Sequence, residues 1–150
     1  MAAAPAVAKS TVAVVVRNSQ ADMFKQLTLP DLEGGSETEL PGRLWWGPYT
    51  VDGRIVLACQ PGGISAFDEN GELLWNAELN DERTIGSPAV DGSVIYIATT
   101  QGGVRGWNLQ TGEVTFEKQL EQPLAAGPVL LNSRIAVAAV DGSILFAERN

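Results

Sequence analysis

Histidine is absent from the 150-residue sequence, and cysteine occurs only once, as Cys59. The chain therefore cannot form an internal disulfide, and it cannot build a zinc site from cysteine and histidine ligands. Catalysis that uses an imidazole as a general base is excluded for the same reason. Much hydrolytic and metal chemistry is ruled out before any motif is considered.

Basic clusters and long apolar runs are also missing. Lys and Arg number 10 against 18 Asp and Glu, which gives a formal net charge of -8, so nucleic acid is not an expected partner. No run approaches the ~20 apolar residues that cross a bilayer, and we expect no membrane insertion by this segment. The first charge is Lys9; because a signal peptide begins with positive charge, an export signal is expected outside this chain.

Short apolar runs with a period of two residues dominate the chain and predict β-strands. Gly and Pro number 16 and 8 and interrupt the sequence too often for helices of ordinary length. We therefore predict an all-β fold. The clearest strands are 11–17, 54–59, 94–99 and 134–140.

These strands recur in a repeat of about 40 residues. Pro5, Pro48, Pro88 and Pro128 are separated by 43, 40 and 40 residues, and each opens a short strand and turn that precede the apolar strand. Four antiparallel strands in about 40 residues, repeated in tandem, are typical of a β-propeller blade. The approximate repeats are 1–46, 47–86, 87–126 and 127–150.

The repeats predict one β-propeller domain, or a fragment of one, over residues 1–150. It would contain about four four-stranded antiparallel blades and about fifteen strands, because the fourth repeat stops after its third strand. The last blade is therefore incomplete, and the fold class is a partial or half propeller.

The segments "GISAFDENGELLW" and "GVRGWNLQTGEVTF" share small residues, a turn glycine and a closing aromatic residue. They resemble the tryptophan-docking repeat of the pyrroloquinoline-quinone-like, or quinoprotein alcohol dehydrogenase-like, β-propellers of bacteria. The first repeat departs from this pattern, because Ser36 stands where the docking aromatic is expected. We expect the outer edge of the first blade to be irregular.

The resemblance implies the non-enzymatic branch of this family. Its dehydrogenases bind a quinone and calcium with a vicinal disulfide, which the single Cys59 cannot supply. We therefore predict no enzyme activity, no catalytic residue, no cofactor and no metal site. The non-enzymatic relatives include outer-membrane assembly lipoproteins and sensor domains of membrane-bound kinases, which favours the periplasm or the extracytoplasmic side of a bacterial membrane.

The predicted function is a protein-interaction scaffold, and the candidate interaction surface contains Trp45, Trp46 and Arg83. Adjacent residues of a strand point to opposite faces, so both tryptophans cannot enter one interface between blades. The alternative function is a sensor domain that binds a small molecule or peptide near these three residues. A quinone-dependent dehydrogenase is the third and least supported interpretation.

Trp75 and Phe116 stand at the same position of two repeats and are expected to be apolar packing residues between neighbouring blades. An incomplete propeller is expected to leave two blade faces exposed, lined by such residues. Exposed apolar faces and open sheet edges drive association. The partner is therefore expected to be protein. Either the chain is half of a larger propeller, or two copies pair head to tail as a homodimer that completes one.

Overall fold

The computed structural model describes residues 3–149, in which it contains fifteen β-strands and no helix. The prediction of an all-β fold with about fifteen strands is confirmed. The strands are β1 (Ala6–Ala8), β2 (Thr11–Arg17), β3 (Asp22–Thr28), β4 (Glu37–Glu39), β5 (Arg43–Val51), β6 (Arg54–Gln60), β7 (Gly63–Phe67), β8 (Leu73–Ala77), β9 (Thr84–Asp91), β10 (Val94–Thr99), β11 (Gly103–Asn108), β12 (Val114–Gln119), β13 (Val129–Leu131), β14 (Arg134–Ala138) and β15 (Ile144–Glu148).

The strands form four antiparallel sheets in which neighbours in the chain are neighbours in the sheet. We call them blade 1 (β1–β4), blade 2 (β5–β8), blade 3 (β9–β12) and blade 4 (β13–β15). Blades 1 to 3 have four strands and blade 4 has three, which confirms the predicted incomplete last blade. The outer strand of blade 1, β4, has only three residues, as expected from the irregular first repeat.

Turn chemistry explains how the first two strands of a blade pair. Asp52 and Gly53 connect β5 to β6 with φ angles of 46° and 72°. Positive φ at both central residues is the requirement of the two-residue hairpin turn whose twist matches that of the strands, and Asp-Gly is among its preferred sequences. The turn fixes the register, in which Val51 lies opposite Arg54.

The blades group into two compact units, of which the first ends at Asp81 and the second begins at Glu82. In the first unit, an apolar cluster joins blades 1 and 2, and the rings of Phe24 and Phe67 stack with centroids 4.5 Å apart. Burial of such aromatic pairs stabilises the contact by more than their area alone. The extension of one domain over 1–150, with the predicted repeat boundaries, stays a prediction.

The second unit has an equivalent cluster between blades 3 and 4, which includes Tyr96 and Ile135. Phe116 packs against this cluster, its ring 5.9 Å from that of Tyr96. Trp75 is only 7% exposed, which agrees with its expected packing role, so Trp75 does not line an exposed face. The period of a strand predicts two faces, but it does not predict which face a neighbouring blade covers.

Candidate functional site

Trp45 and Trp46 lie on β5, the first strand of blade 2, and have different environments. Trp45 is 47% exposed, whereas Trp46 is 6% exposed. The pairing of β5 with β6 is irregular on both sides of Trp46, and such bulges re-aim side chains at a strand. The strand therefore presents one large indole to solvent and buries the other.

The buried indole anchors this part of the strand. The rings of Trp46 and Tyr49 lie 4.5 Å apart at an interplanar angle of 46°. Between them, Gly47 has a φ of 82°, and a Cβ added there would lie 2.8 Å from the Val56 carbonyl oxygen. A glycine is required at this position because the chain both adopts positive φ and approaches the neighbouring strand closely.

A buried carboxylate fastens the beginning of β5 to blade 1. The side chain of Asp22, 1% exposed, accepts hydrogen bonds from Arg17 Nε at 3.2 Å and from Arg43 Nη1 at 2.7 Å. The Leu44 backbone N–H donates to the other carboxylate oxygen at 2.8 Å. Arg43 and Leu44 begin β5, whereas Asp22 begins β3, so this network joins the two blades.

Arg43 also holds the loop that precedes β3. Its Nη1 donates to the Asn18 carbonyl at 3.0 Å, and its Nη2 donates to the Ser19 carbonyl at 3.3 Å. Because Arg43 precedes Trp45 by two residues, these contacts fix the strand that carries the exposed indole. An aromatic side chain has few rotatable bonds, so on a fixed strand it loses little conformational entropy when it binds a partner.

The electrostatics of Asp22 follow from its donors. Burial alone would raise the pKa of its carboxyl, but the hydrogen bonds from Arg17, Leu44 and Arg43 outweigh burial and lower the pKa from 3.8 to about 2. Hydrogen bonds and positive charges favour the ionised form. Asp22 is therefore a permanently charged structural group at neutral pH.

The pKa of Cys59, which lies on blade 2, is shifted in the opposite direction to that of Asp22. Burial and the negative charge of Asp22 raise the pKa of its thiol to about 11, against a lowering hydrogen bond from the Gly42 backbone. The thiolate is the nucleophilic form of cysteine. This thiol is protonated at neutral pH and 5% exposed, which makes it unsuited to nucleophilic catalysis.

Arg83 lies in the second unit, directly before the first residue of β9, and is exposed. Its backbone carbonyl accepts a hydrogen bond from Thr100 N at 2.8 Å. The adjacent Glu82 pairs with Arg105 Nη2 at 3.0 Å and accepts a hydrogen bond from Thr99 Oγ1 at 2.6 Å. Both charged side chains of this pair are about seven-eighths buried, so the backbone next to Arg83 is firmly held.

The structure therefore brings Trp45 and Trp46 together on one strand of the first unit and places Arg83 in the second. Their role as an interaction surface stays a prediction.

Sequence reasoning missed Asp22, although a signal existed. In β3 an acidic residue shares the alternating buried face with Phe24, and Arg17 stands opposite it in the register.

A shallow depression of about 220 Å³ lies beside Arg43 in the first unit. Its other lining residues are Gln20, Ala21, Glu39, Leu40, Pro41, Gly42, Gln60 and Pro61.

Over residues 3–149, no group of three or more histidine, cysteine, aspartate or glutamate side chains is placed to hold a metal ion. Nor does that range contain a helix of the length and apolarity needed to cross a membrane.

Comparison with known proteins gives a family match over residues 60–150 to the outer membrane protein assembly factor BamB, a family of PQQ-like repeats. BamB of Pseudomonas aeruginosa is 36% identical over 73 residues, which are 45% of this chain and 19% of that protein. BamB of Bordetella pertussis is 26% identical over 123 residues, covering 70% of this chain and 31% of that protein.

The crystal structure of BamB from Moraxella catarrhalis superposes on 98% of this chain with a TM-score of 0.76 and 15% sequence identity, and the match covers 46% of that structure. This likeness confirms the predicted partial β-propeller fold. The matches to the two curated relatives span between about a fifth and a third of their length. The family match covers more than half of the chain, and the chain therefore belongs to the BamB family of PQQ-like β-propeller repeats.

Proposed function

We propose that this chain is a non-catalytic β-propeller module that binds another protein during the assembly of outer-membrane proteins. The name shared by its relatives, outer membrane protein assembly factor, supports this role. Propellers display loops and strand ends on a rigid scaffold, which suits protein binding. Protein partners are the class expected for such a surface.

The observation that carries the proposal is the half-exposed indole of Trp45 on a strand that the buried carboxylate of Asp22 helps to hold in place through Arg43 and Leu44. Tryptophan is enriched among the few interface residues that dominate binding energy. Its neighbour Trp46 packs against Tyr49 inside the fold. We therefore assign the binding role to Trp45 and a supporting role to Trp46.

The buried titratable groups near this surface support a structural role rather than catalysis. Asp22 is held ionised by two arginines, and the thiol of Cys59 is held protonated. A catalytic acid or base needs a pKa near the working pH. Both groups have pKa values shifted away from neutrality, which is typical of structural groups.

The test is a comparison of three baits: the unaltered chain, Trp45→Ala and Leu73→Ala. Leu73 is an exposed apolar residue of the same unit, 56% exposed, and serves as the matched control. Each bait is incubated with detergent-solubilised bacterial outer membranes, and captured proteins are identified by mass spectrometry. We expect a component of the outer-membrane assembly machinery to be captured by the unaltered chain and by Leu73→Ala.

Trp45→Ala should weaken this capture by at least about 30-fold, because removing a central interface tryptophan costs roughly 2 kcal/mol or more. Equal capture by all three baits would contradict the role of Trp45. If no assembly protein is captured but a small metabolite quenches indole fluorescence in a saturable manner, the sensor alternative replaces the proposal.

The enzyme alternative has its own test. The purified chain is assayed for quinone-dependent dye reduction in the presence of calcium, and no turnover above the protein-free control is expected. Robust turnover would overturn the non-catalytic part of the proposal. It would leave the binding role of Trp45 to the capture experiment.

A further inference from the structure

The outer strand of blade 2, β8, lies at an open edge of its sheet. The strand order is β5, β6, β7, β8, and within residues 3–149 β8 pairs with β7 on one side only. The backbone N–H and C=O groups on the other side of such a strand can pair with another chain. Another complete blade follows β8 in the chain, so this edge does not result from either end of the sequence. We call the unpaired side of this strand the β8 edge.

The outer strands of the other two complete blades carry charged side chains. The short strand β4 has only three residues, of which Glu37 and Glu39 are acidic. The longer strand β12 contains Glu117 and Lys118, both exposed. Short length and charge on an outer strand are the usual protection against pairing with another chain. Both of these edges are therefore of the protected type.

The β8 edge lacks this protection. Its sequence, LLWNA, contains no charged residue, and Leu73 and Leu74 are 56% and 42% exposed. Leu74 is the extra residue of a bulge in this strand, and Thr115 has the same position in β12. The side-chain amide of Asn76 donates to oxygen atoms of residues 62–65, on the side of β7. It is therefore held away from the open edge, which is uncharged and begins with two exposed leucines.

A carboxylate stands at each end of the β8 edge. Glu72 directly precedes the strand and Glu78 directly follows it, and both are exposed. Over residues 3–149 neither of them forms a salt bridge, whereas Lys9 is already paired with Glu69 at 2.6 Å. Six residues of extended chain span about 20 Å. The edge is therefore bounded by two uncompensated negative charges about one strand length apart.

These charges select the kind of strand that can pair here. Antiparallel pairing with β8 of a second copy would bring Glu72 of one copy towards Glu78 of the other, and parallel pairing would bring identical glutamates together. Like charges opposite each other in a sheet are destabilising, whereas opposite charges are favourable. A strand with a Lys or Arg at each end meets an opposite charge in either direction. The charges therefore disfavour a second copy and favour a basic partner.

We propose that the β8 edge binds, by strand addition, an extended segment of another polypeptide that carries Lys or Arg at both ends and apolar residues between them. Backbone hydrogen bonds supply the affinity in this mode of binding, and side chains supply the specificity. Trp45 lies on β5, at the opposite edge of the same sheet, about 14 Å away across three strand spacings. The occupant of the β8 edge is therefore distinct from the partner of Trp45. The proposal goes beyond the binding role of Trp45 and does not depend on it.

The test measures the fluorescence anisotropy of labelled peptides titrated with the full chain. The peptide KVTVTVK has the proposed charges, and EVTVTVE reverses them. The peptide KVTPTVK keeps the charges but contains a proline, which lacks a backbone N–H and is not tolerated within a paired strand. We expect saturable binding of KVTVTVK, and binding of the other two peptides that is weaker by at least about tenfold.

A charge reversal in the chain tests the role of the two glutamates. The double variant Glu72→Lys with Glu78→Lys should reverse the preference, so that EVTVTVE binds more tightly than KVTVTVK. The control is Asp31→Lys with Glu33→Lys, which changes the net charge equally at exposed sites of the same unit and should keep the original preference. Measurement at physiological ionic strength screens charges that are distant from the peptide. An unfolded variant cannot gain affinity for EVTVTVE, so the reversal separates recognition from loss of folding.

A third variant tests the apolar part of the edge. Leu74→Thr introduces the residue that β12 has at this position, and it should weaken the binding of KVTVTVK by at least about threefold. Circular dichroism and thermal melting establish that this variant is folded. Trp45→Ala should leave peptide binding unchanged, so failure at the β8 edge and failure of the proposed function can be told apart.

Three results would overturn the proposal. The first is the absence of saturable binding of KVTVTVK. The second is equal affinity for KVTVTVK and KVTPTVK, because it would mean that the peptide does not pair as a strand. The third is a preference that stays the same when Glu72 and Glu78 are replaced, or that reverses equally in the Asp31 and Glu33 control.

Discussion

Replacing Asp22 with asparagine tests the network that fixes the strand carrying Trp45. The substitution keeps the size of the side chain but removes the charge that two arginines surround. Asp22 is 1% exposed and accepts hydrogen bonds from Arg17, Arg43 and the Leu44 backbone. Because Arg17 and Arg43 are 56% and 44% exposed, water can solvate them after the substitution, and the cost is mainly that of the lost charge-assisted hydrogen bonds.

The size of the expected destabilisation follows from the pKa of Asp22, which falls from 3.8 to about 2 on folding. One unit of pKa shift corresponds to about 1.4 kcal/mol, so this shift contributes roughly 2–3 kcal/mol to the free energy of unfolding. Because the folded pKa lies below the unfolded value, the contribution is complete above about pH 4 and is lost as the pH falls towards 2. Asp22→Asn should therefore destabilise the chain most at neutral pH.

The assay is urea unfolding of the unaltered chain and of Asp22→Asn at pH 7 and pH 2.5, followed by tryptophan fluorescence. Asp52→Asn is the control, because Asp52 is exposed and pairs with Arg54 at the surface, and surface pairs contribute at most about 1 kcal/mol. An Asp22→Asn variant as stable as the control at pH 7, or a stability difference that does not shrink at pH 2.5, would refute the reasoning.

Three further substitutions or measurements probe the packing. Gly71→Ala should lower the free energy of unfolding by roughly 1–3 kcal/mol, because Gly71 has a φ of 82° and an added Cβ would lie 1.9 Å from Ser36 Oγ. The control is Gly53→Ala, whose added Cβ has a nearest contact of 3.6 Å. It should lower the free energy of unfolding less in the same urea assay. Phe24→Ala should lower the free energy of unfolding by roughly 3–5 kcal/mol, whereas Leu73→Ala should lower it by less than about 1 kcal/mol. Equal losses for the two variants would contradict the assigned core. The Cys59 thiol, with a pKa raised to about 11, should react with a disulfide reagent at pH 8 at least about a hundredfold faster in urea than in the native chain; similar rates would contradict its burial.

The sequence repeat predicted the architecture well because turn chemistry and strand period are local. Regular spacing of Pro48, Pro88 and Pro128 indicated a repeated four-stranded blade, and the strand predicted for 94–99 matches β10 (Val94–Thr99). The alternation of neighbouring residues also indicated that Trp45 and Trp46 could not share one environment. These features depend on residues close to one another in the chain.

Contacts between blades could not be predicted in the same way. Trp75 is buried, whereas Ile144 and Val16 are 56% and 44% exposed, although all three are apolar residues of predicted strands. The alternation of Asp22 with Phe24 signals its burial, but nothing in the strand period indicates its bond to Arg43, 21 residues away on the next blade. Both features depend on which sheet faces meet, and strand period contains no information about that.

Site-specific photo-cross-linking tests the central claim, protein binding through Trp45, most directly. A photoreactive phenylalanine is placed at position 45 and, as the control, at position 73, in cells of a bacterium that carries the outer-membrane assembly machinery. Light should attach a component of that machinery to position 45 and not to position 73. The same adduct at both positions, or no adduct at position 45 although the substituted chain still captures the machinery in the bait experiment, would contradict the account.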